Sequence, residues 1–253
     1  TAAVASLSAY VTIKALIDTA LDREMPKVME KADKRISGEK SSDEFTNRME
    51  SASESLAVQP NETVEIIAHD GEKLVGHYFP CEKPERVIIA FHGWRSSWHR
   101  DFGMISDFWY KNNCSVLYVE QRGQNNSSGE YMGFGLTERF DCLDWLNWEI
   151  ERCGSDIPVY LAGVSMGATT VLMAAGLQLP PNVHGIMADC GFTSANAIWE
   201  HIAKDNLHIR FGIRSAIADR MCRRKIQVGS KEHSTVEALK HTHVPVILVH
   251  GAD

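Results

Sequence analysis

The chain has 253 residues, 44% of them hydrophobic and 23% charged, which is enough apolar material for one large domain with a substantial core and too much for a disordered chain. A net charge of −7, with Arg220, Arg223, Arg224 and Lys225 as the one dense basic cluster, excludes the broad basic face that a nucleic-acid binder needs to displace phosphate counterions, and the cluster reads as a solvated helix end. The six cysteines, Cys81, Cys114, Cys142, Cys153, Cys190 and Cys222, contain no C-x-x-C pair, so they are expected as mostly buried thiols in a reducing, cytoplasmic compartment rather than as disulfides or metal ligands.

Thr1 to Leu21 carries apolar side chains at Val4, Leu7, Val11, Leu16, Ile17 and Leu21, interrupted by Lys14 and Asp18, and predicts an amphipathic helix. It is too polar to cross a bilayer, which takes about 20 predominantly apolar residues. A packed helix is the first expectation, and the tail of a removed signal or anchor is the alternative. Membrane proximity would have to come through this segment. From Asp22 to Leu56 the composition turns charged, with Ser41, Ser42 and Asp43 as a capping signal before a helix over Glu44 to Leu56. Residues 1–58 therefore read as an amino-terminal helical segment in front of a core spanning 59–253.

The core opens with Thr63 to Ala68 and Lys73 to Phe79 on either side of Asp70-Gly71, a dipeptide that favours a hairpin turn. Buried strands and helices then alternate: Arg86 to Phe91, Asp101 to Lys111, Ser115 to Glu120, Leu136 to Arg152, Pro158 to Ala162 and Ala168 to Leu177. Continuous apolar strands separated by helices specify an α/β fold with a mainly parallel sheet covered on both faces. Further strands are expected at Gly185 to Ala188 and Val244 to His250. The mostly helical stretch between them, residues 193–240, exceeds an ordinary crossover and is expected to overhang the sheet in part as a lid. His241 and His243 lie too close together on a short segment to make a metal site, and no metal or cofactor is expected.

The most informative stretch is VYLAGVSMGATTVLMAA, Val159 to Ala175. An apolar strand stops at Gly163-Val164-Ser165-Met166-Gly167 and resumes as a small-residue helix. This fits the G-x-S-x-G nucleophile elbow, in which the glycines remove Cβ atoms that would block the reversal and the serine emerges at a helix amino terminus. The strand Val87 to Phe91 runs into His92-Gly93-Trp94, where an acyl-transfer site would place an oxyanion donor. The backbone N–H groups of Trp94 and Met166 would bind the oxyanion. His92 and Gly93 read as support for that loop rather than as the general base.

Gln121-Arg122-Gly123-Gln124-Asn125-Asn126-Ser127-Ser128-Gly129 follows the strand ending at Glu120 and is by itself a polar turn with an arginine available for a salt bridge. The H-G-x turn, the R-G-x-x-x-S turn, the elbow, the segment Ala188 to Ser194 and the strand Pro245 to Gly251 stand in the order seen in α/β-hydrolases. Over about Glu62 to Asp253 the chain resembles bacterial serine esterases of that superfamily, the group with cinnamoyl-esterase-like and membrane-proximal hydrolases. It departs at Gln124, where relatives commonly carry histidine, and this bears on substrate rather than fold. The resemblance implies Ser165 as nucleophile and argues against Asp189 as the acid, because the family's acid sits in an H-G-x-x-D turn. Here His250 and Gly251 begin that turn, and the acid and the histidine base are expected beyond Asp253, which is itself one position early.

The expected partner is a small-molecule ester, short acyl or aryl, and no oligomeric state is implied. An acyl-peptide hydrolase and a non-catalytic hydrolase-fold binding module are the alternatives. Trp94, Trp98, Phe192 and Trp199 fit either a substrate pocket at the carboxyl edge of the sheet or packing of the lid onto the core.

Overall fold

The alternation of side chains along Arg86–Phe91 explains why this strand contains no outward polar face. Val87, Ile89 and Phe91 enter one apolar layer, while Ile88 and Ala90 enter another on the opposite side of the sheet. A computed structural model describes residues 2–25, 44–206, 208, 211, 212 and 214–252. Seven strands are described: β1 Glu62–Ile67, β2 Lys73–Phe79, β3 Arg86–Phe91, β4 Cys114–Glu120, β5 Val159–Val164, β6 Val183–Asp189 and β7 Val246–Val249. They lie in the order β1-β2-β4-β3-β5-β6-β7. The expected hairpin pairs β1 with β2, and β2 is antiparallel to both of its neighbours. From β4 to β7 every pairing is parallel, with Ile89 of β3 opposite Leu117 of β4 and Leu161 of β5.

Helices α4 (Glu138–Cys153) and α5 (Met166–Ala174) cover the Val87 face, with Cys142, Trp145, Leu146, Val171 and Leu172 packed against the sheet. Helices α2 (Glu44–Ala57) and α3 (Trp98–Lys111) cover the other, through Leu56, Trp98, Phe102 and Trp109. Each large side chain removed from water in this way contributes about 1.5–3 kcal/mol.

A third apolar cluster sits beyond the carboxyl edge. There α1 (Ala2–Leu21), α6 (Ala195–His201, continued by a π turn over Ile202–Asn206) and α7 (Arg214–Ile226) enclose Ile13, Ile17, Leu21, Trp199, Phe211 and Met221 with Met166 and Met173 of α5. A short α8 (Thr235–Leu239) packs on α5.

Several expectations change. In α1 the expected Ile17 and Leu21 are fully buried and Leu16 packs beside them, joined at i, i+4 spacing by Ile13 and Ala20, whereas Val11 is exposed. The side chains of Val4 and Leu7 and the cap at Ser41, Ser42 and Asp43 lie outside the described residues. The basic cluster is more than a solvated helix end. Lys225 pairs with Asp18 at 3.2 Å and with Asp22, tying α7 to α1, and Arg223 pairs with Asp219 and Glu232. Of the six thiols, all free, Cys114, Cys142 and Cys222 are buried, Cys81 and Cys153 are half-buried and Cys190 is exposed. No described helix is long and apolar enough to cross a membrane. At the outer edge of the sheet, Ile247, Leu248 and Val249 of β7 are all exposed.

Candidate active site

The chain reverses between β5 and α5 in a single residue. Ser165 has φ 53° and ψ −111°, a left-handed conformation that costs a non-glycine residue on the order of 1–3 kcal/mol and persists only where its surroundings impose it. Those surroundings are specific. A Cβ on Gly163 would lie 2.3 Å from the Gly167 carbonyl oxygen, and one on Gly167 would lie 1.9 Å from the Phe91 carbonyl oxygen, so strand, turn and helix approach more closely than any other residue allows. The Ser165 N–H donates to the Asp189 carbonyl at 2.7 Å, and the Ser165 carbonyl accepts from the Thr169 N–H at 3.0 Å. Its hydroxyl has no hydrogen-bond partner among the described residues. The first N–H groups of α5, that of Met166 foremost, have no carbonyl to bond within the helix and give this end partial positive charge.

The loop after β3 lies against the elbow: a Cβ on Gly93 would be 3.4 Å from Ser165 Cβ. His92 is fully buried, and burial holds its imidazole below its ordinary pKa, so the ring is neutral. Its Nδ1–H donates to the Gly93 carbonyl at 2.7 Å, while Nε2 accepts from the Gln121 backbone N–H and the Asn125 side-chain amide, both at 3.2 Å. With both ring nitrogens engaged in the loop, His92 is placed as a brace. The Gln121 side chain completes the network, donating to the His92 carbonyl and accepting from Thr170 of α5 at 2.9 Å. Asp101 in the first turn of α3 accepts from the Gly93 N–H and the Ser96 hydroxyl, each at 2.6 Å, and Gln124 accepts from the Arg95 N–H at 2.5 Å. Between these two engaged amides, the Trp94 N–H has no partner among the described residues.

Trp94, Phe192 and Trp199 line a cavity of about 330 Å³ that opens on Ser165, together with Phe134, Ile198 and Ile202. Trp98 does not join them; it stacks on His77 and Tyr118 on the α2–α3 side of the sheet, because it begins a helix whose buried face points there. Asp189 meets the elbow through its backbone while its side chain is exposed. His250 and Gly251 are exposed just past β7, and Asp253 lies outside the described residues. Arg122 of the R-G turn is buried in a forked ion pair with Asp141 and bonded to Asp70 at 2.7 Å, a structural tie remote from the cavity lining. The ligand atoms of His69, Asp141 and Asp144 come within 4.8 Å of one another, but the Asp141 oxygens are taken by Arg122, and His69 bonds Asp144 at 2.8 Å.

Asp101, Gln121 and Asn125 escaped the sequence reading. Asp101 carries the one local signal, an acidic residue in the first turn of the helix that follows H-G.

No protein-family model matches the chain, and no curated protein sequence matches it. Solved structures do. The Pyrococcus furiosus esterase Pf2001 is similar over 77% of this chain and 71% of its own, at 19% identity and a TM-score of 0.59. Est1E from Butyrivibrio proteoclasticus, solved with ferulic acid, is similar over 74% and 78%, at 18% identity and a TM-score of 0.56. An acylaminoacyl peptidase is similar over 75% of this chain and 31% of its own, at 17% identity and a TM-score of 0.52. The chain has the α/β-hydrolase fold.

Proposed function

We propose that this protein is a serine hydrolase that cleaves carboxylic esters, short acyl or aryl, through an acyl-enzyme on Ser165. The observation that carries this reading is the strained elbow. Ser165 is held at φ 53° with its hydroxyl unpartnered among the described residues, at a helix amino terminus and at the mouth of an apolar cavity. A fold that kept the elbow only for packing would gain nothing from that strain, and this favours catalysis over a binding module.

In the proposed reaction Ser165 Oγ gives its proton to the base as it attacks the ester carbonyl, the alcohol leaves with that proton, and water then releases the acid from Ser165. The N–H groups of Met166 and Trp94 take the oxyanion, and losing one such donor costs about 2.7–4 kcal/mol of transition-state stabilisation. His92 and Gly93 support the second donor. The base and the acid come from chain that follows β7. Hydrogen bonds support this placement: Ser165 is bonded to Asp189, and the next residue, Cys190, donates its N–H to the Val249 carbonyl at 2.8 Å, so chain leaving β7 emerges beside the nucleophile.

Hydrolysis of p-nitrophenyl esters by the full chain, lost in Ser165→Ala, tests the reading. A folded protein that leaves every ester intact overturns it. Cleavage of acyl-peptide amides in preference to esters would instead assign the acyl-peptide hydrolase chemistry.

A further inference from the structure

Helix α1 lies ahead of the parallel core in sequence, yet Leu16, Thr19 and Ala20 form one side of the cavity over Ser165. Facing them are Trp94, Phe134 and Trp199. The helix is seated firmly, since Ile13, Ile17 and Leu21 are fully buried in the cluster that also holds the Met166 side chain.

The carboxyl end of α1 is gripped by the same loop that carries the proposed oxyanion donor. A helix end leaves its last four carbonyls without intrahelical partners, and a guanidinium there also complements the helix dipole. Arg95 fills that role, donating to the carbonyls of Asp22 at 2.5 Å, Arg23 at 2.9 Å and Thr19 at 3.2 Å. The neighbouring Trp94 indole N–H donates to the Ala20 carbonyl at 3.0 Å. From the other side, Arg23 donates to the carbonyls of Ser127 at 2.6 Å and Asn125 at 2.7 Å, the latter residue also bonding His92. Wall and oxyanion loop are therefore one hydrogen-bonded unit.

We infer that α1 is the acyl-selecting wall of this site: an uncharged acyl chain longer than acetyl lies against Leu16, and the size of that side chain sets the preferred chain length. Apart from the hydroxyls of Ser165 and Thr19 and the indole N–H groups of Trp94, which bonds Ala20, and Trp199, the lining side chains are apolar, and none carries a charge, so an ionised acyl group would be desolvated there without a counter-charge. A two-carbon acyl group would leave most of about 330 Å³ unfilled, and unfilled apolar volume forfeits contacts that a longer chain makes.

The hydrolytic side of this inference rests on Ser165 as acyl acceptor, so the test has two arms. In the first, kcat/KM is measured on p-nitrophenyl esters from acetate to decanoate. Leu16→Trp, which fills the wall, is expected to lower the octanoate-to-acetate ratio at least tenfold. Val11→Trp, on the exposed face of the same helix, is expected to leave it unchanged. If Leu16→Trp does not fold, Leu16→Ala, which enlarges the cavity, takes its place and is expected to shift preference toward decanoate at least threefold. An unchanged ratio in the folded Leu16 variant overturns the inference.

The second arm needs no catalysis: isothermal titration of octan-1-ol into wild type, Leu16→Trp and Val11→Trp. Binding to wild type and Val11→Trp but not to Leu16→Trp supports the wall even if no ester is cleaved, in which case only the hydrolase reading has failed. With Leu16→Ala as the substitute, altered affinity relative to wild type supports it. No binding to wild type, or equal binding to the Leu16 variant, overturns it.

Discussion

On the β3 side of Ser165, residues 92–97 are buried or half-buried and are held by Asp101, Gln121, Gln124 and Asn125. On the β6–β7 side, Asp189, Cys190, His250 and Gly251 are all exposed. In the proposed mechanism the first flank supplies fixed dipoles, which stabilise developing charge without reorganising and so must be immobile before substrate arrives. The second flank contributes backbone bonds from Ser165 to Asp189 and from Cys190 to Val249. Charge stabilisation in that mechanism belongs to the first flank, and proton transfer to chain that follows the second.

The largest effect expected from breaking this asymmetry is at the elbow. Gly167→Ala places a methyl group 1.9 Å from the Phe91 carbonyl oxygen, where neither backbone can yield, and is expected to cost more than about 4 kcal/mol in denaturant unfolding. A loss under about 1 kcal/mol would show that the elbow is far softer than its geometry implies.

Asp101→Ala releases the Gly93 N–H and Ser96 together and lets the Trp94 amide move. The expected fall in kcat is about 10- to 100-fold with little change in KM, below the full loss of an oxyanion donor. A change in KM alone would place Asp101 in substrate binding.

Glu149 sharpens the comparison by separating stability from activity. It is buried under the sheet, far along α4 from the site, and Arg152 beside it pairs with Glu62 instead. Burial pushes its carboxyl up from 4.5 to about 7. The folded state therefore keeps a proton that the unfolded chain releases, so stability falls as pH rises from about 4.5 to 7 and levels off above that window. Glu149→Gln is expected to remove this slope, gaining about 1–3 kcal/mol over wild type between pH 5 and 7.5 in urea unfolding, with the pH profile of activity unmoved. The smallest effect belongs to the β6–β7 flank, where Cys190→Ser is expected to change stability by less than about 0.5 kcal/mol.

The strand, turn and helix around Ser165 were legible because they are local: an apolar run, two glycines and a small-residue helix within seventeen residues. The sheet and its hairpin were legible for the same reason. The ties that build the β3 flank were not, since Arg95 meets Asp22 and Arg23 from more than seventy residues away and nothing in H-G-W-R announces a helix cap. Trp98 and Trp94 are four residues apart and equally aromatic, and only the direction of α3 sends one into the far core and the other to the cavity. In α1, apolar residues lie on more than one side, and the contacts with Trp199 and Met221, not periodicity, select the Ile13–Ile17 stripe.

The nucleophile assignment is tested most directly by exposing the folded full chain to a fluorophosphonate probe and mapping the adduct by mass spectrometry. The account predicts a single adduct on Ser165 that disappears in Ser165→Ala. A folded protein that acquires no adduct, or one labelled equally after that substitution, would contradict it.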